Sequence, residues 1–174
     1  MGNNAREIHR FLNEMWGEIF RLNEELKSLL PEEGFKVEDV EGVFGAYIFV
    51  EGSWEQMLYP HPAFEIKPGI EVGATPDGYY FVIAVPGEKV SEGFVSAFLE
   101  LFPRSFIYGS ENFLSDVYNW RRDERVSPTE ILEKINESGE KVFQFEANFG
   151  SADGLREGIF KLIELGKRFE IFDI

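Results

Sequence analysis

The sequence contains no cysteine, which excludes disulfides, thiolate zinc sites, iron–sulfur clusters and cysteine nucleophiles. Histidine is almost as scarce, with only His9 and His61. A zinc site would need both, plus carboxylates, yet one lies on a helix and the other in a loop. Positive charge is in deficit: 17 Lys and Arg against 32 Asp and Glu leave a formal net charge of −15. That field repels phosphate backbones and anionic membrane surfaces, so neither nucleic acid nor membrane is an expected partner. No Gly-x-Gly-x-x-Gly, Walker loop or Gly-x-Ser-x-Gly elbow occurs. Gly150-Ser151-Ala152-Asp153-Gly154 approaches the last of these, but its Ser reads as a helix cap. No apolar run approaches the roughly 20 residues of a membrane span, and the N-terminal residues do not read as a charged-then-apolar leader. The expectation is a soluble, cytoplasmic product without cofactor or metal. Few Gln, three Met and abundant Glu with Lys and Arg resemble the composition of proteins from hot environments and predict thermostability.

Aromatic residues are plentiful, 18 of them Phe, and the central one of several apolar stretches is Ile70–Val85. Thr75-Pro76-Asp77-Gly78 sets a turn, with Pro where φ is preset and Gly where φ > 0 is wanted, so the flanking runs should form a hairpin. Tyr79, Phe81, Ile83 and Val85 point one way and Tyr80, Val82 and Ala84 the other, which predicts an interior strand covered on both faces. Ile70, Val72 and Ala74 alternate with Glu71 and Gly73, leaving one wet face. Val43–Val50 is a second, nearly continuous apolar strand. Pro60-His61-Pro62 predicts an extended loop, Phe64 and Ile66 alternate with Glu65 and Lys67, and Pro68-Gly69 predicts a type II turn or a kink. Short turns between successive strands favour a meander.

Residues Met1–Asn4 read as a polar tail. From Ala5 to Leu30, apolar residues at Ile8, Leu12, Met15, Ile19, Leu22, Leu26 and Leu29 define a long amphipathic helix, stopped by Leu30-Pro31 and Gly34. Glu32–Glu41, rich in acids, reads as a solvated connection with a short edge strand, and it lacks the ligand spacing of a Ca²⁺ loop. A helix over Val90–Leu101 buries Phe94 and Phe98. Ser127-Pro128-Thr129-Glu130 is a strong helix start. Val142–Phe149 alternates as a strand, Ser151 caps a last helix, and Phe169–Ile174 reads as a final strand completing a crossover.

The fold class is α+β: residues 1–174 form a single domain, a mainly antiparallel sheet of about five to seven strands covered by the long N-terminal helix and two or three further helices. This order is similar, over Ala5–Phe102, to the general plan of secretion-chaperone-type proteins, though the elements after Phe102 exceed it. Two features stand out for function. His9, Trp16 and Phe20 flank the main stripe of the first helix and are candidates for an interface, either with a second copy in a homodimer or with another polypeptide. Asn119–Arg125 is a basic cluster in a long irregular segment, where Trp120, Arg121, Arg122 and Arg125 are candidates for holding an anionic group. The leading reading is a non-catalytic interaction protein; the alternative is a small anionic-ligand protein or enzyme using the Trp120–Arg125 loop.

Overall fold

Gly2–Leu29 forms one α-helix, α1, in a computed structural model that describes residues 2–50, 53–75, 77–111, 116–123 and 125–173, with the side chains of all but 2–6, 8, 9 and 43–60. Residues 2–4 thus belong to the helix rather than to a polar tail. With no proline ahead of them, extending an existing helix costs little beside nucleating one. Met15, Ile19, Leu22 and Leu26 are buried as their spacing requires, and Leu30 continues the stripe while Leu29 faces solvent. The helix tightens into a 3₁₀ turn over Leu30–Glu33 and ends at Gly34, whose φ of 87° is the left-handed conformation glycine tolerates best.

The strands are β1 (Lys36–Val37), β2 (Glu41–Val50), β3 (Ser53–Lys67), β4 (Ile70–Thr75), β5 (Gly78–Pro86), β6 (Ser105–Gly109), β7 (Asp116–Asn119) and β8 (Val142–Phe149). All pair antiparallel in one sheet of order β1-β3-β4-β5-β8-β6-β7, with β2 also on β3. Consecutive pairing therefore holds from β2 to β5 and then fails: β8 enters between β5 and β6. Pro60-His61-Pro62 lies within β3 rather than in a loop, because the φ fixed by proline is compatible with extended backbone; the β2–β3 register shifts nearby, between Phe44 and Ala46. Gly69 donates its N–H to the Ile66 carbonyl across a cis Lys67–Pro68 bond, so the turn before β4 has the type VI arrangement rather than type II. Thr75 pairs with Gly78 to close the β4–β5 hairpin.

The remaining helices are α2 (Glu92–Leu101), α3 (Pro128–Glu137) and α4 (Ala152–Arg168). Ser91, Ser127 and Ser151 each accept the N–H three residues on, and Ser127 with Glu130 forms a reciprocal capping box. α1 packs on β3 and β4, α4 on β5 and β8, and α2 on α3 and α4. Their apolar faces meet Ile70, Val72, Phe81, Ile83, Phe143 and Phe145 in one core. Its centre is aromatic: Phe94, Phe98 and Phe102 of the α2 region meet the rings of Phe81 and Phe145 at centroid distances of 5.0–6.4 Å, mostly edge to face, the arrangement favoured by the ring quadrupole. The opposite face of β5 is only partly covered, since Tyr80 is buried but Val82 is half-buried and Ala84 exposed.

Residues Phe169–Asp173 are not a strand. The Ile171 N–H reaches back to the Gly166 carbonyl (2.8 Å) and the Glu170 N–H to Lys167 (3.4 Å), with Glu170 at φ 53°. This is a Schellman closure, and it folds the tail back on α4 before any crossover can form.

Candidate functional site

The flank of α1 singled out by helical spacing is open to solvent. Phe20 is 48% exposed, and Trp16, half-buried, stacks beside it with ring centroids 5.9 Å apart. Phe11, on the other side of the buried stripe, is 43% exposed. His9 lies outside the described side chains. Elsewhere around α1 exposed charges pair with one another: Arg10 lies 3.8 Å from Glu14, and Arg21 holds Glu18 at 2.5 Å. Exposed pairs of this kind add little stability.

The basic cluster is arranged around Trp120. Arg104 and Arg121 place their guanidinium carbons 5.6 and 5.5 Å from its ring centre, and the half-buried indole packs against the core. Its Nε1–H has no acceptor among the described residues. Arg122 is already engaged, 2.9 Å from Asp116 and 3.4 Å from Asp123, and these carboxylates hold its pKa above the ordinary value. Arg125 is exposed. The structure therefore gathers Trp120 and Arg121, adds Arg104 from just ahead of β6, and ties Arg122 to the protein's own acids.

A third group was not singled out by sequence reasoning. On the sheet face away from the helices, Tyr80 of β5 donates to Glu71 of β4 (3.0 Å), and Tyr108 of β6 donates to Glu146 of β8 (3.3 Å), which also accepts from Asn148 (3.0 Å). Cross-strand register explains the gathering: Glu71 and Glu146 both pair with Val82, on its two sides, and Glu65 pairs with Glu71. Tyr80 lies across Gly73, where an added Cβ would meet the phenol oxygen at 2.7 Å and the Pro62 carbonyl at 2.9 Å. Burial raises the pKa of both phenols, and the neighbouring carboxylates raise it further, so both are donors at neutral pH. Burial also raises the Glu146 carboxyl, against the pull of Asn148 and Tyr108. A carboxyl so placed keeps its proton to higher pH than an exposed one, and the phenols cannot serve as bases. The wet positions of β4 and β8 were legible as a face, but their partners across the sheet were not.

Among the described residues there is no grouping of His, Asp and Glu suited to a metal ion, and no helix is long and apolar enough to cross a membrane. The family model described as a protein of unknown function, DUF3201, matches residues 10–161. Among solved structures, a conserved hypothetical protein from Pyrococcus furiosus is similar, with 44% identity and a TM-score of 0.86 over 97% of this chain and 99% of that one. No curated protein matches.

Proposed function

The chain belongs to the DUF3201 family, to which no function is assigned, and from that premise we propose that it is a non-catalytic interaction protein that pairs with a second copy of itself through α1. The observation that carries this reading is the stacked Trp16–Phe20 pair standing open on a helix whose other face is already buried. Large aromatics in such a position are the usual anchors of an interface. A second copy is favoured over an unrelated polypeptide because a two-fold pairing of α1 against itself sets Trp16 and Phe20 of one copy against the same rings of the other, so one patch supplies both sides of the contact. The β2–β3 hairpin supports the same reading. Among the described residues β4 reaches β3 only over Ala63–Ile66, leaving Ser53–Pro60 paired to β2 alone, and an isolated two-stranded ribbon is marginal without further cover. Composition supports a heat-stable protein as well.

Sedimentation equilibrium tests the pairing. The expected result is twice the 20.0 kDa chain mass for the wild type and a single-chain mass for Phe20→Glu. That exposed substitution should leave the fold's own stability unchanged to within ~0.5 kcal/mol. A wild-type monomer at every concentration overturns the reading.

A further inference from the structure

We propose that the cleft between the C-terminal end of α2 and the N-terminal half of α4 binds a small monocarboxylate with an apolar body. The cleft encloses about 310 Å³, at the lower end of the range for ligand sites. It is lined by Phe102 and Phe149, whose rings lie edge to face at 6.3 Å, and by Gly154 and Gly158 of α4. An added Cβ at Gly158 would meet the Phe149 ring at 2.5 Å, so the ring rests directly on the helix backbone and leaves the space beside it open. The site therefore offers an aromatic surface suited to a flat or branched apolar group.

Charge then selects the head group. Arg104 and Lys161 both line the cleft, and neither has a carboxylate within ion-pair distance among the described residues. In a chain with 32 acidic residues, two cations left unneutralised at one concavity create a local positive potential that the walls concentrate. Arg104 is further steadied by its position over Trp120, which reduces the freedom it would lose on binding. Glu157 also lines the cleft and subtracts one charge, leaving a formal surplus of one. That balance favours a monoanion over a phosphate dianion. It also differs from the Trp120–Arg125 loop: Arg122 there is neutralised by Asp116 and Asp123, whereas Arg104 and Lys161 line the cleft without a carboxylate in ion-pair distance among the described residues. The inference uses no side chain of α1 and is independent of self-association.

The test uses the full chain with 3-phenylpropionate as probe, followed by the amide NMR signals of Gly150, Gly154 and Gly158 and by melting temperature, with 3-phenylpropanol and inorganic phosphate as comparisons. The expected result is saturable shifts at those glycines and a raised Tm with phenylpropionate, with the alcohol and phosphate each about tenfold weaker, ~1.4 kcal/mol. An Arg104→Ala/Lys161→Ala variant, altering only exposed side chains, should lose the effect while melting normally. Gly150→Leu, whose Cβ enters open space, should block the cleft with both cations in place. Absence of saturable shifts, equal binding of phosphate or the alcohol, or unchanged binding by both variants overturns the proposal.

Discussion

Glu146 is held by Tyr108 and Asn148 in a half-buried position that raises its pKa, with burial as the main cause. A carboxyl raised in the folded state contributes stability that is complete below its unfolded value of about 4.3 and is lost as pH rises through the folded value. Glu146→Gln keeps a carbonyl oxygen to accept from Asn148, turns its amide N–H toward the Tyr108 hydroxyl oxygen, and removes that charge. The Tm difference between variant and wild type should therefore become more positive as pH rises from the acid range toward neutrality, as thermal melts across that range would measure. A flat difference would mean that the carboxyl is as well solvated folded as unfolded. Exposed Asp39 and Glu130, whose pKa values are lowered by Lys27 and Ser127 respectively, act in the opposite direction in both proteins and cancel from the comparison. At this scale the alternation of Glu146 with Phe145 and Ala147 was readable, but nothing local to β8 announces Tyr108, 38 residues upstream.

Elements whose ends are governed by their own neighbours were read correctly. The α3 start is the clearest: Ser127 accepts the Glu130 N–H (3.2 Å), and the Glu130 carboxylate accepts the Ser127 N–H (2.8 Å). Ser127→Ala should cost about 1 kcal/mol, visible as a lower denaturation midpoint with an unchanged slope in urea. The end of α4 was misread because Phe169–Ile174 has strand-like composition, whereas its backbone is directed by the closure onto Gly166. Phe172 packs so near Gly166 that a Cβ there would lie 2.1 Å from its ring, and Lys89 holds Asp173 at 3.0 Å. Burial of one ring against a helix thus decided a segment whose residue types favour extension.

At the scale of the whole molecule, four α-helices among the described residues cover one face of an antiparallel sheet that there has eight strands, and ion pairs such as Arg156–Glu25 (2.7 Å) and Lys167–Glu33 (2.5 Å) join the two ends of the chain. These exposed pairs are secondary to the phenylalanine core. If the α1 flank pairs two copies, folding and association are linked, and Tm should rise with protein concentration. Differential scanning calorimetry over a hundredfold dilution series (on the order of 100) should show this for the wild type and not for Phe20→Glu. A concentration-independent Tm in both would place the Trp16–Phe20 surface outside any stable contact.

From the sequence alone came the helices, the Ser127 and Ser151 caps, the Ile70–Val85 hairpin, the wet faces of β4 and β8 and the apolar flank of α1, because each follows from spacing and turn chemistry within a few residues. Tertiary structure alone decided that β8 enters between β5 and β6, that Tyr80 and Tyr108 meet carboxylates from other strands, and that Arg122 is neutralised while Arg104 and Lys161 line a cleft. Strand order depends on which apolar faces can be buried together, and a charge is free or paired according to neighbours far away in the chain. Neither is set by the residues beside it.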